Sequence, residues 1–289
     1  MKRKPLVSFE LALLAGIACG SESHDQTKPA NSSSSFEEMV DVGGYRLYIN
    51  CLGKSLQGSP TIFMDAGGFD SSETWEKVRP EIARFARVCV YDRAGLGRSE
   101  RRPDPSYPSQ EVVNDLHKLL VNANIAGPYL LVGHSFGGMN VRLYASQYPK
   151  EVVGMVVVDS VHEDEMDRWV TMIPRENKQK MSKEDQAILA KLAVSEAQVR
   201  AAKWHSDIPL FVLSHGISAQ DDYGIPAMAA QGEQLRIEMQ RALAGLSSRS
   251  KHIIAAKSGH YIQRDQPELV IDAIRQVVEA TRSENRKSF

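Results

Sequence analysis

Hydrophobic residues change their spacing several times along the chain, and the changes predict strands that alternate with helices. Tyr45, Leu47 and Ile49 alternate with more polar residues, and Gly43-Gly44 before them predicts a hairpin with a strand that begins at Met39. The run at 152–158 is almost continuously β-branched, which is typical of a parallel strand covered on both faces. Further strands are predicted at the short apolar runs 61–64, 88–91, 128–132, 209–214 and 251–256.

Between these runs, apolar residues recur every three or four positions, as on one face of a helix. Ser72 and Ser109 are predicted to open the first two helices, the segment 136–147 is compatible with a third, and Asp265-Gln266-Pro267-Glu268 predicts the start of the last. The apolar faces comprise Trp75, Val78, Ile82 and Phe85; Val113, Leu116 and Leu120; Leu235, Met239, Ala242 and Leu246; and Val270, Ile274 and Val277. Strands that alternate with helices predict the α/β class, with a doubly wound, mostly parallel sheet.

The alternation is interrupted between 161 and 206, where the sequence is polar, helical in pattern and without a strand. Ser182-Lys183-Glu184-Asp185 and Ser195-Glu196-Ala197-Gln198 each fit a capping box. We therefore expect a small helical cap at 161–206, inserted after the sixth strand into a core of residues 36–160 and 207–289.

The first 35 residues differ from the rest. Met1-Lys2-Arg3-Lys4 is basic and the stretch 11–18 is apolar, which together predict an export signal at 1–19. Gly16-Ile17-Ala18-Cys19 resembles a bacterial lipobox, although Gly16 stands where leucine is usual. Lipidation of Cys19 at such a site would attach the protein to a membrane. The alternative is a disordered or weakly helical leader. The serine-rich stretch 20–35 is predicted to be a flexible linker.

Composition narrows the function classes. A chain of 289 residues that is 42% hydrophobic can bury one large domain with an insertion, or two small domains. The formal net charge of −1 and the lack of a basic cluster interleaved with aromatic residues argue against a nucleic-acid partner. Cys51 and Cys89 both fall in strand candidates. They are either two small buried residues or a disulfide, and the sequence leaves both open.

The segment Gly133-His134-Ser135-Phe136-Gly137 follows a predicted strand and precedes a predicted helix, the context of a nucleophile elbow. We expect Ser135 to adopt strained backbone angles at the tip of the turn. A Cβ atom at Gly133 or Gly137 would clash with neighbouring backbone. Ser135 is therefore the candidate nucleophile.

Four motifs in order make the chain resemble the α/β-hydrolase fold superfamily, specifically its serine-nucleophile, esterase-like branch, over about residues 36–280. They are Asp65-Ala66-Gly67-Gly68, Asp92-Arg93-Ala94-Gly95-Leu96-Gly97-Arg98-Ser99, the Ser135 segment, and Ser258-Gly259-His260. The resemblance implies that His260 is the general base and that the N–H groups of Phe136 and Gly68 form the oxyanion hole. It implies no metal or organic cofactor.

The acid that orients the base is less clear from the motifs. The family most often places it after the seventh strand, where this chain has no carboxylate before Asp221 and Asp222. Some relatives, including many haloalkane dehalogenases, carry it after the sixth strand, where Asp159 stands. We favour Asp159 and keep Asp221 or Asp222 as the alternative.

Other residues near the motifs are given supporting roles. We expect Asp65 to turn away from the oxyanion and support its loop, and Asp92 to pair with Arg93. His134 is expected to pack rather than act as the base. Trp75 is expected to lie in the core. Trp169, Met172 and Trp204 are expected either to line a substrate pocket or to hold the cap to the core.

The resemblance implies a serine hydrolase that cleaves a small-molecule carboxylic ester through an acyl-enzyme. Amide, lactone, thioester or carbon–carbon bond hydrolysis would use the same residues. A serine nucleophile argues against dehalogenase and epoxide hydrolase chemistry, which need an aspartate there. A binding protein that has kept the fold and lost turnover is the alternative from another class.

Overall fold

The computed structural model describes residues 35–104, 107–202, 204, 206–217 and 226–287. The predicted signal at 1–19 with Cys19, almost all of the predicted linker at 20–35, and Asp221 and Asp222 lie outside the described residues. The strands are β1 (Phe36–Asp41), β2 (Arg46–Leu52), β3 (Thr61–Asp65), β4 (Val88–Tyr91), β5 (Tyr129–His134), β6 (Val152–Val158), β7 (Leu210–His215) and β8 (Ser250–Ala255). The helices are α1 (Arg79–Ile82), α2 (Ser109–Asn122), α3 (Phe136–Gln147), α4 (Glu165–Met172), α5 (Arg175–Lys178), α6 (Lys183–Ala202), α7 (Pro226–Ala244), α8 (Ile262–Asp265) and α9 (Pro267–Lys287).

The strands form one sheet in the order β1-β2-β4-β3-β5-β6-β7-β8. β2 pairs antiparallel with β1 and β4, and the other neighbours are parallel. The predicted α/β class and mostly parallel sheet are confirmed. Because β5 lies between β3 and β6, the loops that follow these three strands meet at the same edge of the sheet.

Alternate residues of the central strands face two different core layers. Leu131 and Val157 pack with residues of α2 and α3, whereas Leu130 and Val156 pack with residues of α1 and α9. All four are at most 1% exposed. Burying each such side chain stabilises the fold by about 1.5–3 kcal/mol, so the continuous apolar runs are explained by helices on both faces.

The helix predicted to start at Ser72 is divided into two. A 3₁₀ helix spans Ser72–Trp75 and α1 follows at Arg79. Pro80 has no N–H to donate to the carbonyl oxygen of Glu76, so an unbroken helix would lack that bond. Trp75 is fully buried all the same, as expected.

The segment between β6 and β7 contains α4, α5 and α6. α6 packs against α2 and α3, and α4 packs against α7. The second contact is apolar and is formed by Met166, Trp169, Ile173, Met228, Leu235 and Met239. Trp169 therefore holds α4 to α7. Among the described helices, none is both long and apolar enough to cross a membrane.

Only one of the two predicted capping boxes begins a helix. At the start of α6, the Ser182 hydroxyl accepts the Asp185 N–H at 3.0 Å and the Asp185 carboxylate accepts the Ser182 N–H at 3.2 Å. Ser195, by contrast, lies inside α6, which runs unbroken to Ala202. The second box is therefore wrong as a helix start.

Ser195 and Gln198 instead hydrogen-bond to the start of another helix. The Ser195 hydroxyl accepts the Ser109 N–H at 3.0 Å, and the Gln198 side-chain oxygen accepts the Gln110 N–H at 2.9 Å. These N–H groups belong to the first turn of α2, where no intrahelical partner exists. Side chains of α6 thus cap the start of α2.

Cys51 and Cys89 form a disulfide. They lie directly opposite each other in the antiparallel pair of β2 and β4, and both are buried. The bond joins the antiparallel end of the sheet to its parallel part.

Candidate active site

Ser135 lies at the turn between β5 and α3, with φ 52° and ψ −121°. A positive φ is rare for a residue with a side chain and stores strain of about 1–3 kcal/mol. The turn is held by the Ser135 N–H, which donates to the Val158 carbonyl at 3.0 Å, and by the Ser135 carbonyl, which accepts the Gly138 N–H at 3.0 Å. The predicted elbow geometry is therefore present.

The two glycines that flank Ser135 allow the backbone segments to approach closely. A Cβ atom on Gly133 would lie 2.5 Å from the Gly137 carbonyl oxygen. One on Gly137 would lie 2.4 Å from the carbonyl oxygen of Ala66, on the neighbouring loop. Both distances are far inside van der Waals contact, as the sequence predicted.

Asp159 and His260 are brought together beside this turn. Asp159 follows β6 directly, at φ 43°, and His260 lies in the loop between β8 and α8. The His260 Nδ1 lies 2.6 Å from the Asp159 Oδ2. Because a carboxylate only accepts, Nδ1 carries the proton and Nε2 is left as the free base nitrogen.

The contacts of the described residues include no hydrogen bond between the Ser135 hydroxyl and His260. Such bonds commonly tighten only in the complex with substrate. The two residues are nevertheless linked through His134, which precedes Ser135 and whose Nε2 donates to the His260 carbonyl oxygen at 3.0 Å.

His134 is fully buried and packs against the rings of His260 and Tyr261, with centroid distances of 4.6 and 5.0 Å. Burial lowers the pKa of His134, so the ring is neutral at pH 7. The expectation that His134 packs is confirmed.

The predicted oxyanion loop is held by a buried guanidinium. Arg93 pairs with Asp65 at 2.5 Å and also donates to the carbonyl oxygens of Ala66, Gly67 and Gly68. In a trans peptide, C=O and N–H point in opposite directions. Since the Gly67 carbonyl points to Arg93, the Gly68 N–H points away from it.

Gly68 also lies beside the other predicted donor. A Cβ on Gly68 would be 3.8 Å from the Cβ of Phe136, an ordinary contact. Phe136 is the first residue of α3, where N–H groups have no intrahelical acceptor. Gly68 thus lies beside the first residue of α3, next to Ser135.

The expected structural role of Asp92 and Arg93 in holding loops is confirmed, but they do not pair with each other; the expected role of Asp65 is also confirmed. Asp92 accepts the N–H groups of Ser72 and Arg98, at 2.6 and 2.8 Å, and so joins its own loop to the start of the 3₁₀ helix. Arg93 pairs with Asp65, which also accepts from Asn140 of α3 at 2.9 Å.

A second histidine, His215 at the end of β7, also contacts Asp159. The His215 Nδ1 lies 2.6 Å from the same Oδ2 that receives His260, and the His215 backbone N–H donates to Oδ1 at 3.1 Å. On its other side, the His215 Nε2 lies 3.5 Å from Glu233. Arg236 pairs with Glu233 at 2.6 Å and reaches the Asp159 Oδ1 at 3.4 Å.

Asp159, His215, Glu233 and Arg236 therefore form a closed ring of alternating charges, here called the charge ring. An isolated carboxylate as buried as Asp159 would be strongly destabilising, and the ring supplies its partners. Although burial opposes ionisation, the hydrogen bonds from His215 and His260 hold the pKa of Asp159 well below its usual range.

Burial disfavours the charged form of His215, but its hydrogen bonds to Asp159 and Glu233 outweigh burial and raise its pKa to about 9. Burial likewise opposes ionisation of Glu233, and the bonds from His215 and Arg236 lower its pKa to about 2. The ring is thus fully ionised at neutral pH. Next to it, burial raises the pKa of Glu165 to about 7.

Sequence reasoning did not identify His215, Glu233 or Arg236. One sequence feature could have indicated His215: it is the last residue of β7, the strand after which the family often places its acid. The register of β6 against β7 pairs Val158 with Leu213, and this pairing brings the following residues of both strands to one edge. That register is not readable from the hydrophobic pattern.

Asp159, His215 and His260 also offer three atoms within 4.8 Å of one another, a possible set of metal ligands. Two ligand atoms on a tetrahedral Zn²⁺ with bonds of about 2.0–2.1 Å would be about 3.3 Å apart. The observed Nδ1–Oδ2 separations of 2.6 Å are instead those of hydrogen bonds. Arg236 adds a positive charge that a cation would have to displace.

Comparisons with known proteins agree with this architecture. The sequence model of the alpha/beta hydrolase fold family matches residues 60–193. The uncharacterized protein YqjL of Bacillus subtilis (strain 168) is 32% identical over 219 residues, which cover 74% of this chain and 81% of that protein. Several other curated relatives are longer, and the chain spans only 18–24% of their length.

Two solved structures illustrate the shared fold. A putative lipase from Acinetobacter baumannii AYE is 18% identical, with a TM-score of 0.61 over 86% of this chain and 93% of that one. A thermophilic esterase from Thermogutta terrifontis is 20% identical, with a TM-score of 0.58 over 86% of this chain and 100% of that one.

Proposed function

Because the chain belongs to the α/β-hydrolase fold family, we propose that it is a serine hydrolase that cleaves carboxylic esters through an acyl-enzyme on Ser135. The observation that carries the proposal is the 2.6 Å hydrogen bond between His260 and Asp159 beside a strained Ser135. A serine hydroxyl is a weak nucleophile near neutral pH and needs a base of this kind.

In the acylation half-reaction, the His260 Nε2 takes the proton of the Ser135 hydroxyl while the Ser135 Oγ attacks the carbonyl carbon of the ester. The tetrahedral oxyanion accepts the N–H groups of Phe136 and Gly68. Each such donor contributes about 3 kcal/mol of transition-state stabilisation. Asp159 stabilises the imidazolium formed at His260.

The intermediate collapses when His260 gives its proton to the leaving alkoxide, which departs as the alcohol. A water molecule then takes the place of the alcohol. His260 removes its proton, the water oxygen attacks the acyl carbon, and His260 returns the proton to the Ser135 oxygen as the carboxylic acid is released. The cycle uses these side chains, the two backbone N–H groups and water.

The substrate class is the narrower part of the proposal. The same residues would support hydrolysis of amides, lactones, thioesters or carbon–carbon bonds. Two structures with this fold are named as a putative lipase and an esterase, which makes esters the first class to test. A series of p-nitrophenyl esters of increasing acyl length would define the preferred size.

A fluorophosphonate probe tests the nucleophile directly. We expect the wild-type protein to be labelled at Ser135 and the labelling to be lost in Ser135→Ala. Ser146→Ala, a change on α3 at a serine that bonds only to its own helix, is the matched control and should label normally. A folded wild-type protein that neither labels nor turns over any ester would favour the non-catalytic binding protein.

We also propose that the protein is exported, with residues 1–19 as the signal and Cys19 as a possible lipid attachment site. The Cys51–Cys89 disulfide supports export, because such bonds persist in oxidising compartments. Fractionation of cells that express the full chain, with Cys19→Ala as the control for lipidation, tests the assignment. Protein that stays unprocessed in the cytoplasm would contradict it.

A further inference from the structure

We propose that His215 is a positioning residue of this site: as an imidazolium, it fixes the Asp159 carboxylate beneath His260 and balances part of its charge. The kinetic part of this inference rests on the proposed serine hydrolase function. The structural part does not, because it concerns the protonation of His215 and its contacts.

The geometry around the His215 ring favours two protons on it. One ring nitrogen lies 2.6 Å from the Asp159 carboxylate and the other lies 3.5 Å from the Glu233 carboxylate. Each carboxylate can only accept. A neutral imidazole could donate to one of them and would turn a lone pair towards the other.

The same contacts immobilise Asp159. Its Oδ2 accepts from both His215 and His260, and its Oδ1 accepts the His215 backbone N–H and lies within reach of Arg236. A rotation of the carboxylate that weakened its bond to His260 would also break a bond to His215. The strand β7 thereby holds the acid that β6 supplies.

The charge of His215 also acts on His260. Charged groups face His215 from two directions: Asp159 follows β6, and Glu233 and Arg236 lie on α7. Glu165 of α4 and His260 complete the surroundings of Asp159. With His215 protonated, His260 faces a carboxylate whose negative charge is partly balanced, and loss of the His215 charge would leave that carboxylate with a stronger pull on a cation.

The kinetic test compares the pH dependence of kcat/KM for the wild type, His215→Asn and His215→Leu. The asparagine amide nitrogen takes about the place of Nδ1, so this variant keeps a donor to Asp159 and loses only the charge. We expect its acidic limb to move up by about one pH unit, with kcat within about tenfold of the wild type. His215→Leu loses the donor as well, so we expect a larger fall in kcat, which the asparagine variant should largely avoid.

Two controls separate positioning from packing. His252→Asn changes a histidine on β8 that bonds to Ser214 and not to Asp159, and we expect its acidic limb to match that of the wild type. Glu233→Gln removes the negative charge that favours a second proton on His215 and should shift the limb in the same direction as His215→Asn. If His215→Asn changes kcat or stability without moving the limb, His215 is merely a packing residue.

A spectroscopic readout decides the matter without turnover. The ¹⁵N imidazole shifts of His215, assigned with His215→Asn, should show both ring nitrogens protonated at pH 7.5 and one proton lost near pH 9. A singly protonated ring at pH 7.5 would overturn the inference. A wild-type protein without activity or fluorophosphonate labelling would contradict the proposed function, and the shifts would still test His215.

Discussion

The two buried ionic clusters that flank β5 solve different problems with different residues. At the ends of β3 and β4, one carboxylate and one guanidinium pair, and the guanidinium binds three backbone carbonyls of the predicted oxyanion loop. At the ends of β6 and β7, the charge ring holds a side chain, Asp159, against His260. The first cluster shapes backbone, and the second orients a carboxylate.

They also differ in how they respond to pH. The first cluster contains no imidazole, whereas the charge ring depends on the proton of His215. A guanidinium keeps its charge at any pH at which the protein is folded. The backbone at residues 66–68 is therefore held by contacts that do not depend on pH, whereas the contacts of Asp159 do.

The largest expected effect is that of Asp159→Asn. We expect kcat on an activated ester to fall by about 10⁴-fold, because an amide stabilises the His260 imidazolium poorly and can impose the wrong tautomer. Steady-state kinetics would measure the loss. Full turnover by Asp159→Asn, together with inactivity of Asp221→Asn or Asp222→Asn, would mean that the acid follows the seventh strand instead.

The second effect concerns the cluster under the oxyanion loop. Arg93→Met leaves Asp65 buried without its cation, and we expect the free energy of unfolding in urea to fall by about 3–5 kcal/mol. Adding Asp65→Asn should recover part of the loss, because the uncompensated charge is removed. If the double variant is as unstable as the sum of the two single variants, the pair is not coupled.

The third effect is a pH dependence of the free energy of unfolding that we expect from the charge ring and not from the Arg93–Asp65 cluster. The pKa of His215 is raised from 6.5 to about 9 in the folded state, so the folded protein holds this proton more tightly than the unfolded chain. The stabilisation is complete below about pH 6.5 and is lost as the pH rises through 9, an effect of about 2–3 kcal/mol. Urea titrations at pH 6.5 and 9.5 should show the loss in the wild type and much less of it in His215→Asn. An equal loss in both proteins would place the titrating group elsewhere.

The last effect involves a buried carboxylate that belongs to neither cluster and has no cation beside it in an ion pair within the described part of the chain. Glu196 of α6 accepts the Met166 N–H of α4 at 2.8 Å, and its Oε2 has no hydrogen-bond partner among the described residues. Burial raises its pKa from 4.5 to about 7. Its contribution to stability is therefore complete below pH 4.5 and is lost as the pH rises through 7.

Glu196→Gln tests this contrast. We expect the variant to be more stable than the wild type by about 2–3 kcal/mol at pH 8 and to match it near pH 4.5. Thermal unfolding at both pH values measures the difference. A variant that is less stable at pH 8 would show that the ionised carboxylate is satisfied after all.

The sequence predicted those parts of the site that depend on local spacing. The elbow around Ser135 follows from two glycines, a strand and a helix, all within residues 129–147. The motif ending in His260 and the carboxylate at Asp159 each close a run that the hydrophobic pattern marks clearly.

The parts that were missed depend on which strands are neighbours. Arg93 follows β4 and finds Asp65 at the end of the adjacent β3, rather than Asp92 beside it in sequence. His215 reaches Asp159 because β6 pairs with β7. Ser195 fits a helix start in sequence, yet the N–H groups that it and Gln198 satisfy belong to α2, almost ninety residues away.

That contact between α6 and α2 bears on any attempt to change specificity by exchanging the inserted segment for one from a relative. A transplanted segment that lacks equivalents of Ser195 and Gln198 would leave two amides of the host helix unsolvated and unbonded. Weak expression of such a chimera would then report a graft incompatibility rather than a substrate mismatch. A donor segment should therefore be screened first for an acceptor at each of these two positions.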